Sequence, residues 1–215
     1  MKILPNGVAV IEGDTHISQW VIDSKRLDHD EYSLGAILPF IEQGAWVVDA
    51  GAFIGDHTIA YLKKVGPEGK VFAFEPNPAA YACLCHNCPD AVTFNSGLSN
   101  TESVASYKPD PNAGAGHLDI GEGDTKLVTL DSLNLRRCDF LKIDVEGWEY
   151  EALGGAERTI LAHRPVMWIE INEGSLARNN RLPYDVLNYV TDFLGYKTQA
   201  YPPERGPQYD ILCTP

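Results

Sequence analysis

The chain has 215 residues, 44% of them apolar, enough to fill one domain with a sizeable core. Acidic residues outnumber basic ones 30 to 17, and a net charge of −13 repels phosphate backbones and anionic lipid, which argues against nucleic-acid and membrane partners. No apolar run reaches the length a bilayer needs, the opening residues lack the apolar core of a signal peptide, and five cysteines are an odd number for a disulfide framework. A cytoplasmic location with reduced thiols is the expectation.

In chain order, residues 1–27 alternate weakly (Val8, Val10, Ile17, Trp20, Ile22) around two turn-forming clusters and read as short strands or a hairpin. Residues 29–43 carry Leu34, Ile37, Leu38 and Ile41 at helical spacing, with Gly44 as the stop. From Ala45 the texture changes. Apolar runs at 45–49, 71–75, 92–94, 140–144 and 166–170 are separated by helical stretches, and several end in an acid. Near-continuous apolar runs between helices indicate parallel strands buried on both faces, an α/β domain. Residues 99–127 interrupt this rhythm with Gly114, Gly116, Gly121 and Gly123; a small meander or a mobile lid is expected there. The tail from Gly195 to Pro215, around Pro202-Pro203, reads as a closing antiparallel pair, and no repeat is present. One domain over 1–215 is expected, with 1–44 as an N-terminal hairpin and helix and 99–127 as an insert.

Cys83, Cys85 and Cys88, with His86 among them, invite a zinc reading, with Cys138 or Cys213 joining from afar. On a helix, residues two apart point to different faces, and no second paired half exists, so small buried thiols are the simpler assignment.

The strongest local signal is Asp49-Ala50-Gly51-Ala52-Phe53-Ile54-Gly55, between a strand and a helix. Glycine lets the backbone turn sharply and approach a ligand closely, at the strand end where doubly wound sheets bind ligands. A nicotinamide dinucleotide would want glycines where Phe53 and Asp56 stand, and an acid at Asp56 would oppose a pyrophosphate. S-adenosylmethionine carries a sulfonium and an ammonium but no phosphate, and suits that charge pattern better. Glu75, at the end of the next strand, is placed to accept both ribose hydroxyls of either cofactor.

These segments resemble the FkbM-type methyltransferases: DAGAFIGDHT at 49–58, FAFEPNP at 72–78, NSGLSN at 95–100, VTLDSL at 128–133, LKIDVEGWEYEALGGA at 141–156 and RPVMWIEIN at 164–172. The resemblance covers about two-thirds of the chain, and the segment with Asp144, Glu146 and Gly147 is its most family-specific part. It implies a Rossmann-like class I methyltransferase fold: a mostly parallel seven-stranded sheet with an antiparallel last strand, helices on both faces, and here an N-terminal hairpin extension. It further implies S-adenosylmethionine as cofactor, held by Asp49, Gly51, Ala52, Phe53, Gly55, Glu75, Pro76, Asn77, Ser96 and Asp144. The implied reaction is O-methylation of a hydroxylated small molecule, a sugar or natural product. The alternatives are a nicotinamide-dependent oxidoreductase and a cofactor-binding protein without turnover. Asn172 departs from the family, many of whose members carry a histidine there. Monomer and homodimer both stay open.

For the chemistry, Lys142 and Asp144 share one face of a strand, and a lysine there is costly to bury unless Asp144 or Glu170 pairs with it. Asp144 is the first candidate for the base that takes the acceptor's proton and Glu146 the second, with Lys142 as their companion. Asp144, Glu170 and Asn172 could instead hold Mg²⁺ through oxygen ligands. His57, His117 and His163 are further candidate bases. Arg178 and Arg181, in the loop after Glu170, are expected to touch the acceptor, through an anionic group on it.

Overall fold

The structure, a computed structural model, describes all residues except 29, 111 and 203–205, so His29 of the expected first helix and Pro203 of the tail lie outside the described residues. Along the chain run β1 (Lys2–Ile3), β2 (Ala9–Val10), α1 (Ile17–Ser24), α2 (Glu31–Ile37), β3 (Trp46–Ala50), α3 (Asp56–Val65), β4 (Lys70–Phe74), α4 (Pro78–Asn87) and β5 (Val92–Phe94). Then come β6 (Gly97–Leu98), β7 (Ser103–Lys108), β8 (His117–Ile120), β9 (Thr125–Val128), β10 (Phe140–Ile143), α5 (Glu149–Gly154) and α6 (Glu157–His163). The chain closes with β11 (Val166–Asn172), α7 (Glu173–Arg178), α8 (Pro183–Asn188), β12 (Lys197–Tyr201) and β13 (Gln208–Thr214).

Seven strands form the central sheet in the order β12-β13-β11-β10-β3-β4-β5. All neighbours pair in parallel except β13, which runs antiparallel to both β11 and β12. The apolar runs explain why. Successive residues of one strand point to opposite faces, and here both faces are covered. Val48, Phe72, Leu141 and Met167 pack with Ala152 and Leu153 of α5, Ile160 of α6 and Val186 of α8. Val47, Val71, Phe140 and Trp168 pack with Leu34 and Ile37 of α2 and Ala60, Tyr61 and Val65 of α3. The Rossmann-like architecture with an antiparallel last strand and helices on both faces is therefore as the resemblance implied.

Strand order reverses between β3, which leads outward to β4 and β5, and β10, which begins the opposite half. A crevice opens at such a switch point, outside the carboxyl ends of the strands. Two smaller units border it. Residues 97–128 form a four-stranded sheet in the order β6-β9-β7-β8; β6 and β9 pair in parallel, so it is not the simple meander expected of 99–127. At the N-terminus β1 and β2 make the expected hairpin, but residues 17–24 are helix rather than strand. Ile17 and Val21 lie four apart, and Asp14 accepts the Ser18 amide at 2.8 Å, so a helical turn both buries Val21 and satisfies the backbone. Asp14 also accepts the Ala113 amide at 3.3 Å, tying this segment to the small sheet across the crevice.

Candidate active site

The carboxyl edge of the sheet builds the site. At Gly51 (φ +80°) the chain leaves β3, and the amides of Gly51 and Ala52 both donate to the Phe74 carbonyl at 3.0 Å. A Cβ at Gly51 would collide with the Asp144 carbonyl oxygen, so glycine lets this turn pass the end of β10. The Phe53 amide donates to Glu75 Oε2 at 2.8 Å and the Asn77 amide to Oε1 at 2.7 Å, which aims the buried carboxylate across the loop. Burial pushes Glu75 up to about 7, despite the help of those two amides.

Beneath the loop lies a buried ion pair. Asp49 and Lys142 are register partners on β3 and β10. Lys142 Nζ lies 3.6 Å from Asp49 Oδ1 and 3.1 Å from Asp144 Oδ2, and donates to the Gly51 carbonyl at 3.2 Å. Thr58 Oγ1 donates to Asp49 Oδ2 at 2.6 Å. Burial works against the ammonium, but Asp144 and then Asp49 outweigh it and hold the Lys142 pKa above its ordinary value. The partner of Lys142 is thus Asp144, as expected, and also Asp49. Glu170, the other expected partner, instead accepts from Gln208 Nε2 at 2.7 Å.

After β10 the chain bends at Glu146 (φ +56°) and Gly147 (φ +99°), a turn braced by Glu149, whose Oε1 accepts the amides of Val145 and Gly147. The bend aims Glu146 into the crevice, where Oε2 accepts from Ser175 Oγ at 3.0 Å with Arg178 at 3.7 Å. Burial, and next the charge of Asp144, raise Glu146 to about 7. Burial and then Asp144 likewise hold Glu170 well above the usual carboxylate range.

The crevice encloses about 240 Å³. Of the residues expected at the site, Gly51, Phe53, Glu75, Pro76, Ser96, Lys142, Asp144, Glu146 and Glu170 line it. Asp49, Ala52, Gly55 and Asn77 stand behind this wall. Gly55 opens α3, where a Cβ would sit 2.7 Å from Cys88 Sγ. Asn77 caps α4 and donates to the Tyr107 hydroxyl at 3.1 Å, joining the small sheet to the loop edge. The far wall comes from His16, Ile17 and Trp20 of the N-terminal segment and from Tyr107, Asn112 and Gly116. None of these carried a motif in the sequence; Ile17 and Trp20 showed only as part of a weak apolar alternation and Gly116 as one of four clustered glycines.

Several expectations are corrected. Asn172, expected beside a metal, has its Oδ1 engaged by the amides of Gly174 and Ser175 and so caps α7. The carboxylates that do come together are Asp144, Glu146 and Glu170, with ligand atoms within 4.8 Å of one another. Arg178 and Arg181 lie on and just after a helix rather than in an open loop. Arg181 pairs with Glu151 at 2.7 Å and stacks 3.8 Å over the Tyr150 ring, while Arg178 bonds Ser175 Oγ and the Glu146 carbonyl. Neither lines the crevice. The cysteines are free thiols, and Cys83 and Cys88 are buried against apolar neighbours. Among the described residues no cysteine joins a cluster able to hold a metal. His57 has both ring nitrogens engaged, by Asp30 at 3.1 Å and Tyr61 at 3.3 Å. His163 binds the Leu135 carbonyl away from the crevice, and His117 lines it.

A glycine turn beside an upturned buried carboxylate, walled by acids, suits a cationic adenosine cofactor better than a phosphate-bearing one; Asp56 occupies the first turn of α3, where a pyrophosphate would lie. Comparison with known proteins agrees. Residues 49–198 match the family model of the methyltransferase FkbM domain. The chain belongs to the FkbM methyltransferase family. It is similar to the hexuronic acid methyltransferase AglP of Haloferax volcanii, at 30% identity over 72% of this chain and 66% of the relative. Methyltransferase sdnD of Sordaria araneosa is 29% identical over 52% and 60% of the two chains, so this chain spans about 60–66% of the length of these relatives. The fold is similar to that of the methyltransferase FkbM of Methylobacillus flagellatus, with a TM-score of 0.54 at 19% identity, covering 79% of this chain and 44% of the other. No helix among the described residues is long and apolar enough to cross a membrane.

Proposed function

We propose that this protein transfers a methyl group from S-adenosylmethionine to a hydroxyl of a small acceptor, a sugar or similar polyol. The observation that carries this reading is the pairing of Glu75, a buried carboxylate fixed by two loop amides and facing the crevice as a binder of ribose hydroxyls must, with Asp56 in the first turn of α3, where an acid opposes a pyrophosphate. Bound there, the cofactor supplies an electrophilic methyl on a sulfonium.

The chain's own residues do the rest. Gly51 and Phe53 shape the cradle, and the acids around it favour a positively charged donor. Lys142 holds Asp144 in one place at the switch point, where donor and acceptor meet; fixed positioning supplies much of the rate of an in-line displacement. Asp144 was the first candidate base, but it is committed to Lys142. Glu146 faces the same space with its pKa near neutrality, so we assign proton acceptance to Glu146. With the cofactor bound, Glu146 would accept the proton of the acceptor hydroxyl as that oxygen takes the methyl group. The N-terminal segment and the small sheet cover the crevice and exclude water, parts of one unit spanning 1–215. A sugar-type acceptor is supported by the hexuronic acid methyltransferase among the relatives.

Calorimetric titration with S-adenosylhomocysteine and, separately, NADH tests the reading, with an Asp49→Ala/Glu75→Ala variant as control. Binding of S-adenosylhomocysteine alone, lost in the variant, is expected. Binding of NADH in its place would hand the site to an oxidoreductase. Cofactor binding without methylation of any hydroxylated acceptor would leave a binding protein without turnover.

A further inference from the structure

Past Lys142 the row of carboxylates continues onto β11 and β13, where the proposed transfer makes no use of it. Glu170 and Asp210 are register partners across these strands, so two carboxyls stand side by side, an arrangement that is unfavourable when both ionise. Glu170 Oε2 is closed off from solvent and has no hydrogen-bond partner. Among the described residues no lysine, arginine or histidine pairs with either acid.

Both acids line a second cavity of about 550 Å³, which meets the cofactor crevice along Trp20, Asp56, His57, Lys142, Asp144 and Glu170 itself. Asp30 and Glu31 add to its acidic wall, and Trp20 and Tyr32, more than half exposed, stand at its side. Its cations are already engaged: His57 with Asp30, and Lys142 with Asp49 and Asp144. Such a wall repels a carboxylate or phosphate on the acceptor and attracts an ammonium. Carboxylate oxygens also accept hydroxyl protons, and aromatic faces suit both a sugar ring and a cation.

We propose that this second cavity seats the acceptor and selects a polyol that carries a protonated amine, with Glu170 and Asp210 as the partners of its ammonium. This rests on the methyltransferase reading and narrows it: the acceptor is an amino sugar or a similar hydroxylated amine, not a uronate. A buried, unpartnered carboxylate oxygen beside a second acid thereby gains the counter-charge the chain does not provide.

The test uses the full chain saturated with S-adenosylhomocysteine and titrated with glucosamine, glucose, glucuronate and Mg²⁺ alone. Glucosamine should bind at least about tenfold more tightly than glucuronate, with glucose between them. Glu170→Gln and Asp210→Asn should each weaken glucosamine about tenfold; S-adenosylhomocysteine affinity stays unchanged in Asp210→Asn, whose side chain lies outside the cofactor crevice, and a wild-type circular dichroism spectrum shows that Glu170→Gln folds. Glucuronate binding as well as glucosamine, or no sugar binding at all, would overturn the proposal while leaving the cofactor reading intact. So would Mg²⁺ binding lost in Glu170→Gln with no preference for the amine, which would make Asp144, Glu146 and Glu170 a metal site. Failure of S-adenosylhomocysteine to bind wild-type protein would instead remove the methyltransferase reading beneath it.

Discussion

Two groups of buried charge sit one strand apart in this sheet and are resolved in opposite ways. On β3 and β10, Asp49, Lys142 and Asp144 neutralise one another, and the lysine also holds the Gly51 carbonyl. On β11 and β13, Glu170 and Asp210 face each other with no cation between them among the described residues. A charge taken out of water needs a partner. Where the chain supplies the partner, the group fixes backbone, here the end of β3 against the end of β10. Where it does not, the group is held ready for a cationic ligand and until then keeps its proton to higher pH, as Asp210 does, pushed to about 7 by burial and then by Asp144.

The sharpest way to break this contrast is Lys142→Met. It leaves fully buried Asp49 without its counter-charge, so urea unfolding should show a loss of about 3–5 kcal/mol, together with lost cofactor binding. A variant as stable as wild type would mean that the pair is no scaffold. Next, Glu146→Gln should lower kcat by about 10² to 10⁴ with S-adenosylhomocysteine affinity unchanged, and wild-type kcat should climb with pH through about 7 as Glu146 loses its proton. A flat pH profile would return the role of base to Asp144.

A third test reads the uncompensated acids through stability. Glu75, Glu149 and Asp210 are each raised to about 7 in the folded protein, burial first among the causes. The folded chain therefore binds more protons than the unfolded one between pH 4.5 and 7. Stability linked to these groups is fully present below their unfolded pKa and is lost as pH rises through the folded one. Calorimetric Tm should be lower at pH 8 than at pH 5.5, by roughly 5 °C, and Asp210→Asn should flatten the slope. A Tm that rises over this window would overturn the assignment. The smallest effect is expected at Arg181→Ala. The Arg181–Glu151 pair is partly exposed and stacked on Tyr150, so its loss should cost about 1 kcal/mol or less and leave kcat unchanged. A fall in kcat would restore Arg181 to the acceptor site.

The contrast also marks how far the sequence could be read. Apolar runs such as Val47-Val48 and Leu141-Lys142-Ile143 announced buried parallel strands because both faces of each are covered, and the glycine turn with Glu75 announced the cofactor edge because backbone geometry there is local. Helix α1 was not: a weak alternation of apolar residues fits a strand as well as a helix, and Asp14, which anchors it, acts through contacts with both Ser18 and Ala113.

What the sequence determined by itself was therefore the strand–helix alternation, the family motifs and the identity of the acids, all encoded in short-range pattern. What only the tertiary structure decided was who meets whom. Asp49 and Lys142 are 93 residues apart, and Glu170 and Asp210 are 40 apart, yet each pair is set side by side by strand order and register. Asn172 caps α7 through its oxygen, and the two arginines expected at the acceptor instead meet Glu151 and Ser175. Pairing across strands depends on sheet order, and no local pattern carries that information.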